Sequence, residues 1–139
     1  MPDSYLDSQS TYVDKDAAIY KRSVGATTAD TATYTDADSG KIVIATKGSA
    51  TQTFTLPAAA AGLEFTFVCG HASGEILIDQ AGSEVINCKA SEGGAAVATA
   101  AGTGIKNTAA TNVLGDSITL VSDGTSWYAT NQSGIWASQ

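Results

Sequence analysis

The side chains with reactive potential are few and sparsely spaced. Cys69-Gly70-His71 puts a thiol and the only imidazole of the chain two residues apart, with a second thiol at Cys88. A Cys69/His71 pair has the composition of a nucleophile and its base. Strand alternation, however, puts any i and i+2 residues on one face, so the spacing alone does not signal catalysis. The same residues, with Asp79 or a second copy of the chain supplying a fourth ligand, have the softness of a zinc site but lack the short paired spacings, such as Cys-x2-Cys, of structural zinc. Asp14/Asp16 and Asp36/Asp38 are carboxylate pairs without the Gly-punctuated ligand run of a calcium loop, and read as a helix start and turn residues. Gly102-Thr103-Gly104 lacks the remainder of a phosphate-binding loop, and no Gly-x-Ser-x-Gly elbow occurs. The expectation is a non-enzymatic chain without cofactor or metal.

Aromatic residues offer recognition instead. Trp127, Tyr128 and Trp136 have the chemistry of a sugar-stacking platform, although a small β domain also needs large rings to fill its core. The core reading is preferred, with at least one Trp buried. Tyr5, Leu6, Tyr12, Ile19, Tyr20, Lys21 and Arg22 differ, because they lie in a sparse, polar and acidic stretch that has no local core to receive them. Aromatic anchors on such a stretch suit partner binding.

The 139 residues amount to one domain's worth of chain, with formal net charge −7 and only 15% charged residues. An acidic chain whose only adjacent basic pair is Lys21-Arg22 is poorly suited to nucleic-acid backbones. No apolar run is long enough to span a bilayer, and Met1-Pro2-Asp3-Ser4 opens neither a signal peptide nor a lipidation motif. Cytosolic synthesis is therefore expected. It makes the Asn131-Gln132-Ser133 sequon a coincidence and Cys69 and Cys88 two buried thiols, with one bridge between them the alternative.

Residues 1–35 read as an N-terminal arm, with a short helix over Asp14–Arg22 capped by Asp14; about two turns are too few to stand alone. Residues 36–139 read as a β-rich domain. Strands are expected at 41–45, 53–56, 63–69, 75–79 and 84–88, in a hairpin turning at Asp123-Gly124, and near Ile135-Trp136. Leu63, Phe65, Phe67 and Cys69 share one face of the clearest strand, and Trp127 and Tyr128 point to opposite faces of the hairpin's return strand. The Gly/Ala-rich stretch 93–102 reads as a loop. The fold class expected is all-β: a small antiparallel sandwich or barrel of about seven to eight short strands, with an extended arm.

The succession Phe54-Thr55-Leu56-Pro57-Ala58-Ala59, Gly62-Leu63-Glu64-Phe65-Thr66-Phe67, and Gly115-Asp116-Ser117-Ile118-Thr119-Leu120 with Asp123-Gly124-Thr125-Ser126-Trp127-Tyr128 resembles virion structural proteins of tailed bacteriophages. Similar strings recur in head decoration (cement) proteins and in tail-fibre or head-fibre β domains, and the resemblance covers roughly residues 40–137. It implies a β-rich module, a homotrimer, on a phage particle. The chain lacks the long shaft of a complete fibre, so the leading expectation is a decoration protein on the head surface. Its partners would be the major capsid protein and further copies of itself, with no nucleic acid and no membrane. A tail-fibre or host-surface carbohydrate-binding module is the alternative.

Overall fold

A computed structural model describes residues 22–91, 94–98 and 102–139. They form twelve strands: β1 (Val24–Thr27), β2 (Thr31–Thr33), β3 (Ile42–Ala45), β4 (Thr51–Thr55), β5 (Glu64–Cys69), β6 (Glu75–Asp79), β7 (Ile86–Lys89), β8 (Ala96–Ala98), β9 (Ile105–Asn107), β10 (Ser117–Ser122), β11 (Trp127–Ser133) and β12 (Ala137–Ser138). One sheet has seven strands in the order β1-β3-β5-β10-β11-β7-β8, and the other has five in the order β12-β9-β6-β4-β2. The protein is an all-β sandwich, as the sequence predicts.

The route of the chain differs from the expected antiparallel one. The first six strands alternate between layers: β1, β3 and β5 run parallel in the large sheet, and β2, β4 and β6 run parallel in the small one. This is a flattened coil in which each turn contributes one strand to each layer. Crossing to the opposite layer supplies the connection that parallel neighbours require, without a helix. From β7 onward most pairings are antiparallel, and β10 locks against both β5 and β11. The sheets are therefore mixed. The extra strands over the seven or eight expected are β1, β2, β8 and β9, all three or four residues long.

Residues 24–33, read from sequence as part of the arm, thus form the outermost rung of both sheets. Their Gly, Ala and Thr composition hides the pattern, because an edge rung half-covered by its neighbour needs no large apolar residues. Stretch 93–102, read as a loop, contains β8, whose partner β7 supplies the pairing that Ala-rich sequence does not advertise. Residues 14–21 of the expected helix lie outside the described residues, and Arg22 precedes β1 as irregular chain.

Alternation sets the core. Val43, Ala45, Phe65, Phe67, Cys69, Ile118, Leu120 and Trp127 of the large sheet face Phe54, Ile76, Ile78 and Ile105 of the small one, all buried. Phe54 stacks on Phe67 across the layers at 5.5 Å between ring centroids, and Phe65 meets Trp127 at 6.0 Å. Tyr34 lies against Phe54, Phe65 and Phe67 at the edge of this cluster, with the Lys41 ammonium 5.6 Å from its ring centroid. Each such ring contributes about 1.5–3 kcal/mol on burial.

Candidate functional site

Cys69 and Cys88 are both buried free thiols. They lie on β5 and β7 of one sheet with β10 and β11 between them. Three strand spacings alone put at least roughly 14 Å between them, already twice what a disulfide spans, and the register offsets them further along the strands. The same distance keeps them from sharing a metal ion, and among the described residues no three His, Cys, Asp or Glu side chains converge. The Cys69 thiol donates to the His71 carbonyl at 3.3 Å, while the imidazole Nδ1 contacts the Ser73 hydroxyl at 3.0 Å, so the thiol's hydrogen bond bypasses the ring. Burial, with the Asp116 charge adding to it, pushes the Cys69 thiol up; burial alone takes Cys88 up to about 11. Both thiols are thus held protonated near neutral pH, the opposite of an activated nucleophile.

The other sequence candidates are also accounted for by local structure. Asp38 accepts from the Thr35 amide and hydroxyl on one oxygen and from Lys41 on the other. These bonds, the Lys41 one foremost, hold its carboxyl below the usual range. It completes, with Thr35, the capping box of the 3-10 turn Asp36–Asp38. Asp79 accepts from the Gln139 amide. Trp127 is fully buried, and Trp136 is buried with its indole N–H donating to Ser133 O at 2.9 Å. Only Tyr128 of the three C-terminal aromatics is exposed, so they do not form a common stacking surface. Of the partner-binding candidates, Tyr5, Leu6, Tyr12, Ile19, Tyr20 and Lys21 lie outside the described residues. Arg22 is turned onto its own domain: Nε donates to Gly40 O at 2.8 Å, and Nη2 lies 3.5 Å from the Glu64 carboxylate.

What sequence reasoning missed is an apolar tip, two adjoining loops that expose large apolar side chains. Val113, Leu114 and Ile135 are 61%, 65% and 46% exposed, whereas the large apolar residues of the sheets' inner faces are covered. The segments that carry them are fixed by a buried polar node. Asp116 Oδ2 accepts from the Val113 amide at 3.0 Å and from Asn107 Nδ2 at 3.1 Å, and the same Nδ2 donates to Ile135 O at 3.1 Å. Asn107 is fully buried at the end of β9 and Asp116 is 8% exposed at the start of β10. One carboxylate and one amide therefore tie the 113–114 loop to the 135 loop.

Backbone bonds complete the frame. Asp116 N donates to Val113 O, Gly115 N to Cys69 O and Cys69 N to Asp116 O, joining the loop to the end of β5. Asn112, buried, donates its side-chain amide to Gly74 O in the β5–β6 turn. Gly134 is required at the second loop on two counts. Its φ is +85°, and a Cβ there would sit 2.3 Å from the Asp116 carboxyl carbon. Exposed apolar side chains on a loop anchored this firmly lose little entropy on meeting a partner, the condition for a pre-organised contact. The sequence signal available was Val113-Leu114 between Asn112 and Gly115, an apolar pair inside turn residues. No protein-family model and no curated protein matches the chain.

Proposed function

We propose that this chain is a head decoration protein of a tailed bacteriophage, bound as a homotrimer to the outside of the shell and bridging neighbouring subunits of the major capsid protein. The observation that carries the reading is the pre-organised apolar tip of Val113, Leu114 and Ile135 on a domain whose reactive side chains are buried or engaged in structural bonds. Such a domain is suited to adhesion. The resemblance of residues 40–137 to virion structural proteins supports the particle as its location.

The physical logic is additive. Three side chains of this size contribute a few kcal/mol per site when covered, about 1.5–3 kcal/mol each at most. A symmetric oligomer that engages several capsomers at once multiplies that through effective concentration. Each new contact also opposes outward pressure on the shell. The competing reading, a host-surface carbohydrate module stacking sugars on Trp127, Tyr128 and Trp136, is disfavoured by the burial of both indoles.

Quantitative mass spectrometry of purified virions tests the proposal. A copy number approaching that of the major capsid protein is expected. A few copies per particle would move the protein to the tail or to a single vertex and sink the cement reading.

A further inference from the structure

The large sheet is split on the side away from the coil. β11 pairs with β7 only at Trp127 and Tyr128, opposite Ile86 and Asn87. Beyond that point Thr130 is an extra residue in the β10–β11 ladder, because Ala129 pairs with Leu120 and Asn131 with Thr119. A bulge of this kind bends its strand and re-aims the side chains around it. Here β11 turns away from β7, and the gap is spanned by a side chain: Gln132 accepts from the Lys89 amide and donates to the Lys89 carbonyl. The result is an open groove of about 580 Å³, in the range of small-ligand sites.

The lining has a definite chemistry. Val97, Ala96, Ala129 and Cys88 supply apolar surface. Asn87, Ser91, Thr130 and Asn131 supply neutral donors and acceptors, of which the Asn87 amide is committed to Trp127 O. Lys89 is the single charged residue among the described residues of the lining, and it is exposed. Among the described residues, Lys41 is engaged by Asp38, Lys47 by Asp30 and Arg22 by Glu64, whereas Lys89 and Lys106 have no ion pair, and of these two only Lys89 lines the groove. An ammonium with no carboxylate partner among the described residues, in a groove on a chain of net charge −7, is placed to select an anion against the overall field.

We propose that this groove binds a small carboxylated sugar, the carboxylate on the Lys89 ammonium and the hydroxyls on Thr130 and Asn131. The site is separate from the Val113/Leu114/Ile135 tip and stands whether or not that tip meets a capsid. It adds a second adhesive function, toward acidic polysaccharide, to a domain that the tip alone assigns to protein contact.

Titration of the full-length chain by ¹H–¹⁵N NMR tests this, with sodium glucuronate, sodium N-acetylneuraminate and neutral N-acetylglucosamine as probes. The expected result is saturable, millimolar-range shifts confined to the amides around 87–91 and 129–132, with at least one acidic sugar. Lys89→Gln, a substitution at an exposed side chain whose backbone does the bonding, is expected to weaken that binding about tenfold, as loss of one charge-assisted contact requires. Equal shifts with N-acetylglucosamine, or binding unchanged in Lys89→Gln, would overturn the acidic-sugar assignment. No localised shifts with any probe would overturn the site.

Discussion

Tyr34 shows how one side chain couples the core to its rim. Its ring packs on Phe54, Phe65 and Phe67, and its hydroxyl is pushed from 10.0 up to about 12, by burial first and by the nearby Asp38 charge second. The folded state therefore holds the phenolic proton more tightly than the unfolded chain does. That contribution is fully present below pH 10, and is lost as the pH rises through about 12. Tyr34→Phe removes the titrating group and keeps the ring. Urea midpoints measured across this window should fall less steeply for Tyr34→Phe than for the natural chain; parallel profiles would mean that the hydroxyl is equally solvated in both states. The raised Cys88 thiol acts in the same direction but is present in both proteins, so the difference between them isolates Tyr34.

At the scale of elements, the β10–β11 hairpin rests on its turn. Ser122 pairs with Trp127, leaving 123–126 as the loop, and Asp123 Oδ1 accepts from the Thr125 and Ser126 amides at 2.8 and 2.9 Å. Gly124 takes φ +103°. The Ser126 bond, then the Thr125 bond, hold the Asp123 carboxyl below its usual range. The stabilisation is thus present above the ordinary Asp value and disappears as the pH falls through the depressed one. Asp123→Ala should lower the thermal midpoint by a few degrees at neutral pH, in line with the loss of a local side-chain cap. The gap should close in strong acid; a gap that persisted there would assign the effect to backbone propensity instead. This hairpin, its faces and the Phe65/Phe67 strand were legible in sequence because large alternating residues and Asp-Gly state their roles locally. The coil was not. Paired positions in successive turns, Val24 with Ile42, Ile42 with Thr66, Thr31 with Thr53 and Thr53 with Leu77, are unequally spaced, so no fixed period exists to detect. The Asp116–Asn107 node was equally hidden: Asp116 reads as a turn residue, and its partner Asn107 sits on a three-residue strand with no apolar pattern of its own.

For the whole molecule, the decoration proposal turns on which surface would hold it to a shell, and the fold sharpens the test. Removing residues 1–35 would strip β1 and β2 from both sheets, so loss of binding in that variant would report unfolding as readily as a missing contact. Removing residues 1–21 spares Arg22 and both strands, and takes away Tyr5, Leu6, Tyr12, Ile19, Tyr20 and Lys21. The opposite variant is Leu114→Asp, at a side chain 65% exposed and therefore nearly neutral for stability. If the tip docks on capsid protein, Leu114→Asp must bury a carboxylate against apolar surface. Its affinity for shells depleted of the natural protein should then fall at least about tenfold with an unchanged thermal midpoint. The two variants divide the binding energy between a rigid contact and the residues before β1. A tip that matters alone gives loss only in Leu114→Asp, and joint attachment gives partial losses in both. Full affinity in Leu114→Asp, with loss on removing 1–21, would transfer attachment to those residues and leave the tip to contacts between copies, since an interface between copies and one with a shell would compete for the same exposed apolar surface.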